Sequence, residues 1–173
     1  MSTTLQKEKS VATDGQETIR RAPSIRHNPR PQRYYFDVGI GAISLSGSDT
    51  GGAYCLLEAN LAPGIGVPRH THTREDEAYF VLTGELEVTV EGKVLVLQPG
   101  DSLVAPRDIP HQIRNSGNIE NRYLLIFWPS GLEQFLKATG IPAPDHAPAP
   151  TEPPAVAIEN VQKLATDYGI IFG

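Results

Sequence analysis

Residues 77–100 read EAYFVLTGELEVTVEGKVLVLQPG, and their pattern settles the class of fold. Leu86, Val88 and Val90 alternate with Glu85, Glu87 and Thr89, the period of two of a strand with one buried face. Glu91-Gly92 then suits a two-residue hairpin turn, and Val94 and Val96 continue the return strand. Before this hairpin, residues 77–83 form another apolar run closed by Gly84. After it, Gln98-Pro99-Gly100-Asp101 breaks the chain ahead of the run 102–105. The same rhythm extends from Tyr34 to Trp128, with further runs over 52–61, 110–115 and 122–128. Short strands at roughly ten-residue spacing, with Gly and Pro between them, predict an all-β sandwich or barrel.

The remainder of the 173 residues is of a different kind. Residues 1–33 hold few large apolar side chains, and five arginines (Arg20, Arg21, Arg26, Arg30, Arg33) crowd their end; a flexible N-terminal arm is expected. The barrel is expected over 34–130. Over 131–173 the pattern predicts C-terminal helices: Leu132, Phe135 and Leu136 stand at helical spacing before Gly140, and Ile158, Val161, Leu164 and Ala165 before Gly169. Between them, residues 141–154 carry six of the 15 prolines, the composition of an extended linker. The apolar end Ile170-Ile171-Phe172 is expected to pack back onto the barrel or a partner.

Composition narrows the function. A net charge of −5 argues against nucleic acid or an anionic membrane as the main partner. No stretch approaches the roughly 18–20 apolar residues of a membrane span, and residues 1–10 lack the apolar block of a secretory signal. The single cysteine, Cys55, excludes an internal disulfide framework and reads as a core residue. A cytoplasmic protein acting on a small molecule is the expectation.

Three of the five histidines gather near glycine-framed turns. His70 and His72, two residues apart on a strand, face the same side, and two imidazoles so placed can converge on one ion. If 73–76 is a turn, Glu77 begins a neighbouring strand and points into the same interior. His111, just after Ile109-Pro110, closes the set from a later strand. Alternation puts Tyr79 and Val81 on the side of Glu77, and one of Phe127 and Trp128 lines the cavity.

These residues resemble the two motifs of the cupins. The first, Gly-x5-His-x-His-x4-Glu-x6-Gly, is matched by Gly64, His70, His72, Glu77 and Gly84. The second, Gly-x5-Pro-x-Gly-x2-His-x3-Asn, is matched by Gly100, Pro106, His111 and Asn115, with Asp108 where the family has its middle glycine. Asp tolerates turn geometry as Gly does, so the departure touches only the local turn. The resemblance implies a double-stranded β-helix, or jelly-roll barrel, here with a short C-terminal helical tail. It also implies one divalent transition metal held by His70, His72, Glu77 and His111. Three imidazoles and a carboxylate suit Fe, Mn, Ni, Co or Zn and leave open coordination positions.

An open position can polarise an oxygen-bearing substrate or dioxygen. In quercetin dioxygenase-like cupins the glutamate in the position of Glu77 is assigned the role of general base, and that role carries over as an expectation. The reading is therefore a dioxygenase of quercetinase type acting on a small enolic or phenolic, flavonol-like compound, with Glu77 catalytic and Tyr79 at the substrate. A non-redox isomerase or cyclase, and a non-catalytic small-molecule-binding module, are the alternatives. Single-domain cupins are commonly dimers, and a homodimer is expected.

Overall fold

The computed structural model describes residues 31–173 except Pro153, so most of the arm expected over 1–33 lies outside the described residues. Two antiparallel sheets carry the chain. In sequence order the strands are β1 (Arg33–Phe36), β2 (Gly39–Leu45), β3 (Cys55–Asn60), β4 (Gly66–His72), β5 (Asp76–Thr83), β6 (Leu86–Val90), β7 (Lys93–Leu97), β8 (Ser102–Ala105), β9 (His111–Arg114), β10 (Arg122–Trp128), β11 (Ile141–Ala143) and β12 (Ile170–Phe172). One sheet runs β11-β1-β2-β3-β10-β5-β8 and the other β12-β4-β9-β6-β7. The crossing of sequential strands between two sheets is the jelly-roll arrangement, and the all-β expectation holds.

The hairpin of β6 and β7 forms as its sequence dictates. Val90 pairs with Lys93 across Glu91-Gly92, and both turn residues take positive φ, 49° and 75°, as a twist-compatible hairpin turn requires. The return strand faces the other way from a simple continuation of its valines. Leu97, opposite Leu86, is the one residue of the strand that is buried, while Val94 and Val96 are 59% and 46% exposed and Leu95, opposite Val88, is exposed with them. A run apolar on both faces does not encode which face turns inward; the partner strand decides.

Two buried clusters meet inside. Tyr79, Val81, Leu86, Val88, Ile113 and Tyr123 fill the space between the sheets. Cys55, Leu57 and Phe127 pack with Leu132, Phe135, Val161 and Ile170 beneath the tail. That tail is two helices, α1 (Leu132–Thr139) and α2 (Ala155–Leu164), a 3₁₀ turn over Ala165–Tyr168 and then β12. Leu132 and Phe135 are both buried, each worth about 1.5–3 kcal/mol, so the helices are held by the barrel rather than by their own propensity. Gly169, at φ 77°, ends the turn and sends β12 back along β4, Ile170 opposite His72 and Phe172 opposite His70. Ile141–Ala143 adds a strand on β1, and Ala147 and Ala149 beyond it are buried.

Loop ends near the barrel are fixed by two fully buried asparagines. Asn115 donates to the Leu61 and Ile119 carbonyls, at 2.8 Å each. Asn121 accepts from the Leu61 amide at 2.9 Å and donates to the Glu85 carbonyl at 2.7 Å. Gly84 admits this clamp: its φ is 72°, and a Cβ there would stand 2.9 Å from Asn121, so no other residue fits without displacing the backbone. Asp108, in the place of a motif glycine, takes φ 64°, the conformation that Asp tolerates.

Candidate metal centre

Two neighbouring strands of one sheet present the imidazoles, and the facing sheet presents the carboxylate. His70 on β4 is paired across the ladder with His111 on β9, and His72 follows two residues on, on the same inward face. Glu77 on β5 lies opposite Phe127 of β10 and Ala105 of β8. All four side chains are buried, and one potential ligand atom from each lies within 4.8 Å of the others. Glu77 Oε2 stands 2.9 Å from His111 Nε2 and 3.4 Å from His72 Nε2. Strand alternation thus brings together the four residues singled out in the sequence. Arg69, just before His70, and Arg74, between His72 and Glu77, are exposed.

Backbone partners orient the rings. His70 Nδ1 lies 2.8 Å from the Pro68 carbonyl and His111 Nδ1 3.0 Å from that of Ile109. Donation to those oxygens leaves the Nε2 atoms toward the centre, the outer support typical of metal-binding histidine. His72 Nδ1 is buried with no hydrogen-bond partner, a costly state for a polar atom inside a protein. Three inward imidazoles, one carboxylate, no thiolate and an orphaned nitrogen fit a divalent transition ion, and the cluster can hold one.

Protonation follows from the same contacts. Burial raises the Glu77 pKa, but hydrogen bonds from His111 and His72 outweigh it and hold the carboxyl well below the ordinary range. Burial opposes charging of His111, yet the Glu77 carboxylate wins and raises its pKa. Desolvation pushes His70 down to about 4, so that ring stays neutral and its lone pair stays available. Bound metal would displace the His111 proton, making occupancy depend on pH.

A cavity of about 110 Å³ opens from this cluster into the barrel. Tyr79 lines it as its register with Glu77 requires, 1% exposed, and its hydroxyl has no hydrogen-bond partner. Burial, and then the Glu77 charge, raise the Tyr79 pKa well above 10, so the hydroxyl stays a donor. Phe127, rather than Trp128, faces the cavity, with its ring centroid 5.5 Å from that of His72. Three lining residues carried no signal in the strand pattern. Phe172 of β12 sets its ring 6.0 Å from His70; Tyr123 completes the inward row of β10; and Asp37 lies in the β1–β2 turn. Glu75, in the acidic run just before Glu77, is buried with Oε2 unpartnered, and burial raises its pKa.

Comparison with known proteins follows the same lines. The family model described as "Cupin domain" matches residues 57–127. Quercetin 2,3-dioxygenase of Bacillus subtilis is 28% identical over 94 residues, 54% of this chain and 28% of that protein. Two Streptomyces proteins are nearer in size. Polyketide synthase CurC of S. cyaneus is 31% identical, with 57% of this chain and 58% of that one covered. Tetracenomycin polyketide synthase protein TcmJ of S. glaucescens is 33% identical, with 55% and 64% covered. The matched stretch thus spans from about a quarter to under two thirds of these relatives. Among solved structures, KdgF from Halomonas sp. superposes with a TM-score of 0.57 at 19% identity, covering 66% of this chain and 99% of that one. A predicted oxalate decarboxylase of Thermotoga maritima gives 0.55 at 24%, covering 62% and 99%. At those identities the structural matches establish the fold alone.

Proposed function

This chain belongs to the cupins, and on that premise we propose that it is a metal-dependent dioxygenase acting on a small enolic or phenolic, flavonol-like compound. One observation carries the reading: three imidazoles and Glu77 converge, buried, and His70, His72 and Glu77 of that cluster line a largely apolar cavity. A bound Fe, Mn, Ni, Co or Zn ion would supply Lewis-acid polarisation and, where redox-active, a path for electrons to dioxygen. His70, His72, His111 and Glu77 would hold it.

The protein's own groups then act on the substrate. Apolar walls such as Leu57, Leu125 and Phe127 exclude water and favour a flat, weakly polar molecule. Glu77 takes the proton of the substrate hydroxyl: that O–H bond breaks, its electron pair stays on oxygen, and the proton resides on the carboxylate. Tyr79, protonated and unpartnered, donates a hydrogen bond to the oxyanion so formed. Similarity to a quercetin dioxygenase supports the choice of substrate.

Protein prepared without added metal is expected to carry about one transition ion per chain, and the loaded enzyme to consume one dioxygen per flavonol cleaved. Glu77→Gln tests the base role: turnover unchanged at full metal occupancy would remove it. A second reading, a non-redox cyclase, is favoured by the relatives named for polyketide synthases, since polyketides enolise readily. Turnover without oxygen uptake would select it; binding without turnover would leave a small-molecule-binding module. The reading includes a homodimer, supported by β7, an edge strand with Val94, Leu95 and Val96 exposed. Sedimentation velocity giving a monomer would remove that element.

A further inference from the structure

The cavity contains a second carboxyl that the metal cluster does not use. Asp37 sits in the two-residue turn between β1 and β2, where Phe36 pairs with Gly39, and takes φ 44°. Its side chain is part of the same cavity wall as Glu77 and His70. Among the described residues it has no hydrogen bond and no ion pair. An unpaired carboxyl half-withdrawn from water loses hydration and gains nothing in return from the fold. Carboxyls in turns ordinarily sit in open solvent or cap backbone amides; this one caps none and is half-buried at the cavity wall.

Register places Asp37 and the metal cluster at different levels of the barrel. On β10, Phe127 is opposite Glu77 and Tyr123 is opposite Val81. Four residues separate those rows, about 13 Å at a strand's rise of roughly 3.3 Å per residue. The β1–β2 turn lies beyond the far row: Ala59, opposite Tyr123, pairs with Gly41, and the strand runs on from there through Gly39 to the turn that holds Asp37. Between the two levels lies Leu125 of β10 with its ladder partners Leu57 and Tyr79, the Tyr79 ring centroid 6.5 Å from that of Tyr123. The cavity therefore has an oxygen-binding end, an apolar middle and a hydrogen-bond acceptor at its far end.

We propose that Asp37 is a specificity-determining anchor, accepting a hydrogen bond from a hydroxyl at the end of the substrate remote from the metal cluster. The inference rests on the reading of an enolic or phenolic substrate and narrows it. The molecule is elongated, with its reacting oxygens at one end, a flat apolar body and a phenolic hydroxyl at the other. The apolar walls favour this neutral donor over a charged group, which would lose more hydration on entry.

Two probes that differ only at the distal end test it: 3-hydroxyflavone and its 4′-hydroxy derivative, titrated calorimetrically into the full-length, metal-loaded protein. The wild-type chain is expected to bind the 4′-hydroxy compound about tenfold more tightly, the gain of a hydrogen bond to a charged acceptor. In Asp37→Asn, whose side chain suits positive φ, the ratio of the two affinities falls toward one. Asp37→Gly suits that backbone too and, with no acceptor left where Asn keeps a neutral one, takes the ratio the rest of the way to about one. Equal affinities in the wild type, an undiminished ratio in both variants, or failure of both probes to bind would overturn the inference. Oxygen uptake separates this from the broader reading. Uptake retained without the distal preference overturns only the anchor. The preference retained without uptake overturns only the dioxygenase.

Discussion

Glu77 and Asp37 are carboxyls in one cavity, and their surroundings drive them in opposite directions. Both lose water. Glu77 is the more deeply buried, yet His111 and His72 hold it ionised well below the usual range. Asp37 is only half-buried but has no partner, and desolvation alone lifts it to about 6. Partners, not depth, decide the charge of a buried acid here. Glu133 falls on the side of Glu77: burial raises its pKa, but the Gly47 and Gly131 amides, with Cys55, bring it below its ordinary value. Groups held apart in this way on one cavity wall are a common mark of a working site.

The largest effect is expected from removing the partner on which Glu77 most depends. His111→Ala deletes one of four candidate ligands and the 2.9 Å contact to the carboxylate. Apparent free energies of about 10–16 kcal/mol for four-ligand zinc sites put roughly 2.5–4 kcal/mol on each ligand, a loss of about a hundredfold to a thousandfold in metal affinity. Competition dialysis against a calibrated chelator measures it. A variant that keeps its metal would show that Glu77 is ionised for reasons of its own.

Glu133→Ala comes next. Gly47 and Gly131 each donate an amide to that carboxylate at 2.8 Å, and both donors would be left without a partner, that of Gly47 buried and that of Gly131 partly so. At about 1–3 kcal/mol per orphaned group, a loss near 3 kcal/mol is expected in urea denaturation. A neutral result would place Glu133 with Asp37 as a carboxyl that contributes nothing to the fold, and would break the contrast.

The difference between the two acids also marks what the sequence could reveal. His70, His72, Glu77 and Tyr79 lie on strands, where a period of two fixes direction, and two spaced motifs name the levels at which they meet. Asp37 lies in a turn, where no periodicity says whether a side chain faces water or cavity; it shares the cavity wall with Tyr123 and Leu125 of β10, more than eighty residues away. Glu75 and Glu133 were hidden for a like reason, since only packing against other elements withdraws them from solvent. The return of Ile170–Phe172 to β4 could be expected only as packing onto something, because three apolar residues carry too little pattern to name a partner strand. Local period encodes facing; it does not encode which distant element covers a turn.

Asp37→Asn should act in the opposite sense to Glu133→Ala. The folded-state pKa of Asp37, about 6, exceeds its unbound value of 3.8, so between those values the folded chain holds the extra proton. Stability therefore falls as pH rises through that window, and the penalty is complete above it. Two pH units correspond to about 3 kcal/mol at most, and relaxation and water at a half-buried site reduce this to about 1–2 kcal/mol. The variant should be more stable than its parent by that amount at pH 7 and equal to it near pH 3.5. The difference between the two pH profiles cancels contributions common to both, the histidines among them. Equal stability at every pH would mean that the carboxylate has a partner after all, and the contrast with Glu77 would vanish.

The smallest effect falls between the two acids, at Tyr79. Its hydroxyl is buried and unpartnered, so Tyr79→Phe keeps the ring and deletes only an uncompensated polar group. Removing such a group is expected to raise the stability of the metal-free protein by up to about 1 kcal/mol. If the hydroxyl donates to a substrate oxyanion, the same change lowers turnover by about a hundredfold, so stability and activity move in opposite directions. A loss of stability in thermal melts would mean that the hydroxyl already serves the fold, by donating to Glu77. The low pKa of Glu77 would then rest on three donors rather than two, and Tyr79 would lose its claim to the substrate.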